Sequence, residues 1–97
     1  MYKMLLMIKD TADDELLNIF RENTLSHLEK AAGKKIQIGI IDGAKLNEEP
    51  YNKVYEITFE TKHEMDKILA SVEGKKFNRN ITSFTQHISI FFVDYED

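Results

Sequence analysis

The sequence predicts an α+β fold in which four antiparallel strands and two helices follow the order βαββαβ, with both helices on one face of the sheet. Apolar residues alternate with a period of two in four segments, and they recur every three to four residues in two others. Turn residues separate these segments. At 97 residues the chain has room for one core, so we expect a single domain over residues 1–97.

The first strand and the first helix occupy the N-terminal third of the chain. Tyr2–Lys9 alternates as a strand, and the helix is expected to begin near Asp14 and to run to about Ala32. Thr11, followed three residues later by Asp14 and then by Glu15, is the expected N-cap because a hydroxyl can accept from a free backbone N–H. Gly33 is the expected C′ residue, since glycine adopts the left-handed conformation at little cost.

The rest of the chain alternates strands with a second helical region. Thr61, followed by an acid three residues later, predicts the start of the second helix, and Gly74 is expected to end it. Right-handed crossovers would place the first and third strands in the middle of the sheet. The remaining expected segments are strands at Lys35–Ile41, Lys53–Glu60 and Gln86–Asp94, a turn at Asp42-Gly43, a mobile loop at Ala44–Asn52, and a helical or irregular piece at Lys75–Phe84.

The terminal strands carry apolar side chains on both faces. In the last strand, Ile88, Ile90 and Phe92 point one way, towards the helices, while Phe91 and Val93 point the other way. A strand that is apolar on both sides needs cover on both sides. Two helices can cover only one face of a four-stranded sheet. We therefore expect a second copy of the chain on the other face, giving a homodimer through the helix-free face.

Composition excludes several classes of function. The formal net charge of −4 argues against a nucleic-acid partner, because phosphate binding needs clustered Lys and Arg. The absence of cysteine removes disulfides and thiolate chemistry and fits a cytoplasmic protein. We expect no membrane partner either. No stretch reaches the length of an apolar span, and the apolar start at Met1–Ile8 is too short for a signal peptide.

Two side chains on the expected helix-free face are candidates for acid–base catalysis. Glu56 lies in the middle of a strand, where carboxylates are uncommon, and His87 opens the last strand. Two strand spacings would separate them by roughly 10 Å, which leaves room for a substrate between a base and an acid. The alternative is that Glu56 forms an interfacial salt bridge with Lys3 or with a neighbouring lysine.

Other side chains on the same face are candidate ligand contacts, because polar groups there are mixed with apolar ones as in a pocket wall. His27 joins them from the first helix, where it lies beside the apolar stripe; the alternative is a packed and hydrogen-bonded histidine. We expect no metal site, since no two histidines have i, i+4 spacing, and no cofactor. The candidate ligand-binding residues are Lys3, Gln37, Thr58, Ser89, Phe91 and His27.

Three segments resemble a known family. Phe20–Gly33, with the sequence FRENTLSHLEKAAG, is similar to the first-helix segment of EthD-like proteins. Phe59–Gly74, with the sequence FETKHEMDKILASVEG, is similar to their second-helix segment, and Asn80–Phe84 to the stretch that follows. The resemblance covers most of the chain. It implies a ferredoxin-like protomer that assembles as a dimeric α/β barrel, with two sheets face to face.

The resemblance implies function only in broad terms. EthD-like relatives include proteins linked to ether degradation, lactone isomerases and polyketide cyclases. Many carry a histidine followed by proline and leucine in the first helix, where this chain has Asn23-Thr24-Leu25-Ser26. We expect a small homodimeric enzyme or enzyme accessory that acts on a small, partly apolar carbonyl or aromatic metabolite. The alternative is a non-catalytic metabolite-binding or regulatory dimer.

Overall fold

The structure is a computed structural model, and it describes residues 1–43 and 50–96. Most of the loop expected at Ala44–Asn52 therefore lies outside the described residues, while its last two residues begin a strand. The elements are β1 (Tyr2–Lys9), α1 (Asp14–Phe20), a π-helical turn (Arg21–Leu25), α2 (Ser26–Ala32), β2 (Gln37–Ile40), β3 (Tyr51–Phe59), α3 (Lys62–Leu69), α4 (Val72–Ile81), a 3-10 turn (Thr82–Phe84) and β4 (Ile88–Asp94).

The strands form one antiparallel sheet in the order β2-β3-β1-β4. This confirms the expected α+β, ferredoxin-like order, with β1 and β3 in the middle. Leu5 of β1 lies opposite Glu56 of β3 on one side and opposite Phe91 of β4 on the other. That register decides which side chains of the three strands can meet.

The core lies between the sheet and the helices. Alternate residues of β1 and β3 point into it, and Tyr55 and Leu6 are completely buried. Phe20 packs between Tyr55 and Phe84, with ring centroids 5.8 and 5.0 Å away. The helix-facing side of the sheet is therefore the one that the alternation predicts. Phe92 is the exception, because it is 52% exposed near the C-terminal end of an edge strand.

The first helix begins as expected but with a different cap. The Oδ1 atom of Asp13 accepts from the backbone N–H of Leu16 at 2.8 Å. Thr11 is not the N-cap, because it lies too far before the first helical residue for its hydroxyl to reach the free N–H groups. The Thr11 hydroxyl instead contacts the Nδ1 atom of His87 at 3.1 Å. At the other end Gly33 is left-handed, with φ of 68°, as expected.

A π-helical turn, Arg21–Leu25, interrupts this helix, which we expected to be continuous. Such turns are rare and are found frequently at functional sites. Thr24 is completely buried inside the turn.

The second helical region divides where we expected one helix ending at Gly74. Thr61 caps α3 as expected, accepting from the backbone N–H of Glu64 at 3.1 Å. Gly74 does not end that helix. It lies in the first turn of α4, and its backbone N–H donates to Ser71 Oγ. A Cβ atom there would come within 2.6 Å of the Leu69 Cα atom, so the residue allows a close approach of two helices.

Candidate ligand site on the helix-free face of the sheet

An ion pair joins the two central strands on the helix-free face. Lys3 of β1 donates from its Nζ atom to the Oε1 atom of Glu56 on β3. The register makes the pair diagonal, because Lys3 lies opposite Thr58 and Glu56 lies opposite Leu5. Both side chains are about three-quarters buried, at 23% and 25% exposure. This geometry agrees with the salt-bridge alternative for Glu56.

The pair keeps the lysine charged. The hydrogen bond to the Glu56 carboxylate, together with its charge, raises the pKa of Lys3 above its ordinary value. The Lys3 Nζ atom lies over the Tyr95 ring, 5.4 Å from the ring centre, and the face of an aromatic ring attracts a cation. Lys3 is therefore a fixed cation beside a carboxylate.

A concavity of about 470 Å³ opens beside this pair, between the start of β2 and the end of β3. Three of the candidate ligand-binding or catalytic residues, Gln37, Glu56 and Thr58, line it. Gln37 lies directly opposite Glu56 across the β2–β3 ladder. Lys34 also lines the concavity, donating to the Thr58 carbonyl with its Nζ atom 5.2 Å from the centre of the Phe59 ring. The strand register thus brings these predicted residues together.

Ser89 and Phe91 lie on the edge strand β4, on the same helix-free face of the sheet. The Oγ atom of Ser89 is 3.0 Å from the Tyr51 hydroxyl, a partner that our sequence analysis did not identify. An irregularity between Ile8 and Lys9 shifts the β1–β3 register and places Tyr51 opposite Lys9. That shift breaks the alternation of side chains between the two faces of the sheet. The period of two in the sequence therefore does not predict on which face Tyr51 lies. Phe91 is 48% exposed.

His87 does not share a cleft with Glu56. Since Glu56 and Phe91 lie on either side of Leu5, two strand spacings separate them, and His87 precedes Phe91 by four residues. These offsets give a backbone separation of roughly 16 Å, so the expected spacing of roughly 10 Å is wrong. The His87 ring contacts Thr11 at the end of the sheet. A catalytic role for His87 stays a prediction, detached from Glu56.

Comparisons with known proteins bear on the fold. No family model matches the sequence, and no curated protein matches it. Among solved structures, an ethyl tert-butyl ether D (EthD) family protein from Bacillus halodurans superposes with a TM-score of 0.74 at 14% identity, covering 99% of each chain. This chain has the EthD fold.

Two further structures are similar to it. The At3g17210 protein of Arabidopsis thaliana gives a TM-score of 0.67 at 20% identity, over 99% of this chain and 93% of that one. HapK from Hahella chejuensis gives 0.61 at 14% identity, over 100% of this chain and 92% of that one. The predicted resemblance to EthD-like proteins is thus confirmed at the level of the fold.

In this EthD fold His27 links two helices and lies away from the helix-free face. Its Nδ1 atom is 2.5 Å from the Oε2 atom of Glu73 on α4, and Lys76 approaches the other oxygen of that carboxylate at 3.3 Å. Both partners of the His27 pair are partly buried. The packed, hydrogen-bonded alternative therefore describes the position of His27, and a ligand-binding role for it stays a prediction.

The Glu73 carboxylate should make stability depend on pH. The hydrogen bond from His27, supported by Lys76, lowers the pKa of Glu73 below its ordinary value. A carboxylate with a lowered folded-state pKa stabilises the protein above its unfolded-state pKa, and this contribution disappears as the pH falls through the folded-state value. In urea titrations, we expect the stability difference between the wild type and Glu73→Gln to shrink progressively as the pH falls below about 5.

The control is Glu22→Gln, which removes an exposed carboxylate from the π-helical turn. Its effect on the free energy of unfolding should change less over the same range. An equal pH dependence for both variants would show that the link between His27 and Glu73 does not contribute to stability.

Clustered metal-ligand side chains and membrane-spanning helices are both absent from residues 1–43 and 50–96. Within them, no group of three or more His, Cys, Asp or Glu side chains is arranged to hold a metal ion. None of the helices described there is long and apolar enough to cross a membrane.

Proposed function

We propose that residues 1–97 form one domain of a cytoplasmic, homodimeric, EthD-like enzyme. It would act without a cofactor on a small, partly apolar carbonyl compound. The single observation that carries the proposal is the Lys3–Glu56 pair, which lies largely buried on an apolar sheet face beside a concavity of about 470 Å³. A charged pair at the edge of a concave, mostly apolar surface is typical of a ligand site.

The homodimer is proposed from the surface around the pair. Apolar side chains of β1, β3 and β4 are only half buried there, and the most exposed of them is Phe91, at 48%. Contiguous apolar patches are uncommon on monomers and mark interaction surfaces. A second copy would cover the patch and exclude water from the ion pair. The half-buried apolar residues are Leu5, Met7, Val54 and Val93.

The chemistry we propose is proton transfer next to a carbonyl. The Glu56 carboxylate would accept the proton from the carbon beside the carbonyl, and the Lys3 ammonium would donate a hydrogen bond to the oxygen that becomes negative. A lysine amine is charged at neutral pH, as this role requires, and the neighbouring Glu56 carboxylate raises the pKa of Lys3 further. Return of the proton to the same carbon or to a neighbouring one gives exchange or isomerisation.

The alternative is a non-catalytic dimer that binds a metabolite. It is favoured by the ion pair itself, because a carboxylate already hydrogen-bonded to an ammonium group can simply link β1 to β3. In the enzyme, the bound ligand would lose a proton from the carbon beside its carbonyl group. In the non-catalytic dimer, it would keep that proton.

Hydrogen–deuterium exchange tests the enzyme proposal without knowledge of the natural substrate. We expect the protein to accelerate exchange beside the carbonyl in a panel of small alkyl and aryl ketones in D₂O, followed by NMR. Glu56→Gln should lower the acceleration by about 100- to 10,000-fold, because it removes the general base. Lys3→Met should lower it as well, since the developing negative charge loses its partner.

Asp66→Asn is the control, since it removes an exposed carboxylate from α3 and should leave exchange unchanged. Circular dichroism would establish that each variant is folded. Ketone binding without exchange in the wild type would favour the alternative. Exchange that survives Glu56→Gln would overturn the assignment of the base.

A further inference from the structure

A second cleft lies on the opposite side of the sheet, between the π-helical turn, α2 and the edge strand β2. Its volume is about 290 Å³. The inner wall is apolar, formed by Leu25, Ile36, Ile38 and the Tyr55 side chain. Lys35 lines both this cleft and the concavity beside the ion pair, but neither Lys3 nor Glu56 lines this cleft.

A buried hydroxyl group without a partner distinguishes this cleft. Tyr55 is completely buried, yet its hydroxyl has no hydrogen-bond partner among the described residues. Buried hydroxyls are nearly always hydrogen-bonded, because leaving one unpaired is costly. The Thr24 hydroxyl is buried as well and has no hydrogen-bond partner within residues 1–43 and 50–96; it lies in the π-helical turn that supplies Leu25 to the wall. A hydroxyl that stays unpaired in the free protein can be kept for a ligand.

The mouth of the cleft is positively charged. Arg21 and Lys35 line it, and within residues 1–43 and 50–96 neither forms an ion pair. Glu29 also lines the cleft, but its Oε2 atom accepts from the backbone N–H of Ile36 at 3.0 Å. That hydrogen bond holds the acid to the protein. The two cations are thus available to an anionic group entering from solvent.

We propose that this cleft binds a small oxo acid. Such a molecule has an apolar body, a carbonyl oxygen that accepts hydrogen bonds at one end and a carboxylate at the other end. Side chains of the apolar wall move aside on binding, because solvent does not reach the Tyr55 hydroxyl in the free protein. The hydroxyl then donates to the acceptor oxygen, the wall covers the body of the molecule, and Arg21 and Lys35 bind the carboxylate. The inference is independent of the catalysis proposed for Lys3 and Glu56, since it concerns other residues and equilibrium binding.

Three probe molecules separate these contributions. 4-Acetylbenzoate carries both oxygen functions, 4-ethylbenzoate lacks the acceptor oxygen, and 4-methylacetophenone lacks the acid. Calorimetry or NMR titration of the full chain should find the first the tightest. Loss of either function should weaken binding about three- to tenfold, as expected for removal of one hydrogen-bonded contact.

Tyr55→Phe is the decisive variant because it removes only the hydroxyl oxygen. We expect it to weaken 4-acetylbenzoate about three- to tenfold, to leave 4-ethylbenzoate unchanged, and to leave the protein at least as thermostable as before, since an unpaired buried hydroxyl is lost. Arg21→Gln should weaken both benzoates and spare 4-methylacetophenone. Arg79→Gln, an exposed arginine of α4, is the matched control and should change none of the three.

Two results would overturn the proposal. One is that the three probes do not bind, or that their affinities are the same in the wild type, Tyr55→Phe and Arg21→Gln, while each protein is folded. The other is that Tyr55→Phe destabilises the protein and leaves 4-acetylbenzoate affinity unchanged, which would show that the hydroxyl has a structural partner. Neither result depends on ketone exchange, so neither bears on the function of Lys3 and Glu56.

Discussion

Gly74→Ala should destabilise the protein by about 2–4 kcal/mol, although alanine is the better helix former. A Cβ atom at position 74 would meet the backbone where α3 ends, with the Leu69 Cα atom at 2.6 Å and the Ile68 carbonyl closer still. Backbone atoms cannot rotate away as a flexible side chain can. The α3–α4 corner must therefore open, and we expect thermal unfolding to shift downward by about 10 °C or more.

The other glycines supply graded controls. A Cβ atom at Gly43 would meet no atom of the described residues within 4 Å, so Gly43→Ala should change stability by no more than about 0.5 kcal/mol. Gly33 has the same open space but a φ of 68°, and Gly33→Ala should cost about 1 kcal/mol of backbone strain. If Gly74→Ala lowers the free energy of unfolding no more than Gly33→Ala does, then α3 and α4 are farther apart in solution than in this structure.

The sequence pattern predicted the strands well because burial on one face imposes a period of two. Tyr2–Lys9 was located to the residue, and the helix-facing side of β3 was identified from Tyr55, Ile57 and Phe59. Gly74 was misassigned for a physical reason. Glycine is favoured both at helix ends and at close backbone contacts, and sequence alone does not separate the two uses.

The candidate site was predicted in part. Glu56 and Thr58 were assigned to the helix-free face from alternation, whereas the strands of Lys3 and Gln37 are too apolar to orient in this way, and these two residues were only suggested for that face. The register brings the four residues together. The distance to His87 was wrong because alternation gives the face of a residue but not its position along the neighbouring strands. The π-helical turn left no signal that we could identify, since its residues are ordinary helix formers or neutral ones.

The same limit applies to the second cleft. Tyr55 was read as a core residue, and it is one, being completely buried. Only the hydrogen bonds of the folded chain show that its hydroxyl has no partner among the described residues. The periodicity of a sequence predicts which side chains are buried. It does not predict whether a buried polar group has a hydrogen-bond partner. A binding role such as the one proposed for Tyr55 can therefore be inferred only after the structure is known.

Phe91→Asp should dissociate the proposed homodimer. Phe91 lies on the helix-free face, 48% exposed, opposite Leu5 and close to the Lys3–Glu56 pair. Two-fold symmetry would place two aspartates in one apolar interface, and each buried charge that lacks a partner is unfavourable. We expect the dissociation constant to rise by at least about 100-fold, measured by light scattering or sedimentation across a range of protein concentrations.

Phe92→Asp is a closely matched control, because the neighbouring residue is 52% exposed but lies on the opposite face of the same strand. Its ring stacks on Tyr2 at 6.4 Å, so the substitution should lower stability slightly and leave the dimer intact. Dissociation by both variants would indicate pairing along the β4 edge instead of across the sheet face. A wild-type protein that stays monomeric at high concentration would contradict the dimer, and the Lys3–Glu56 pair would then face water.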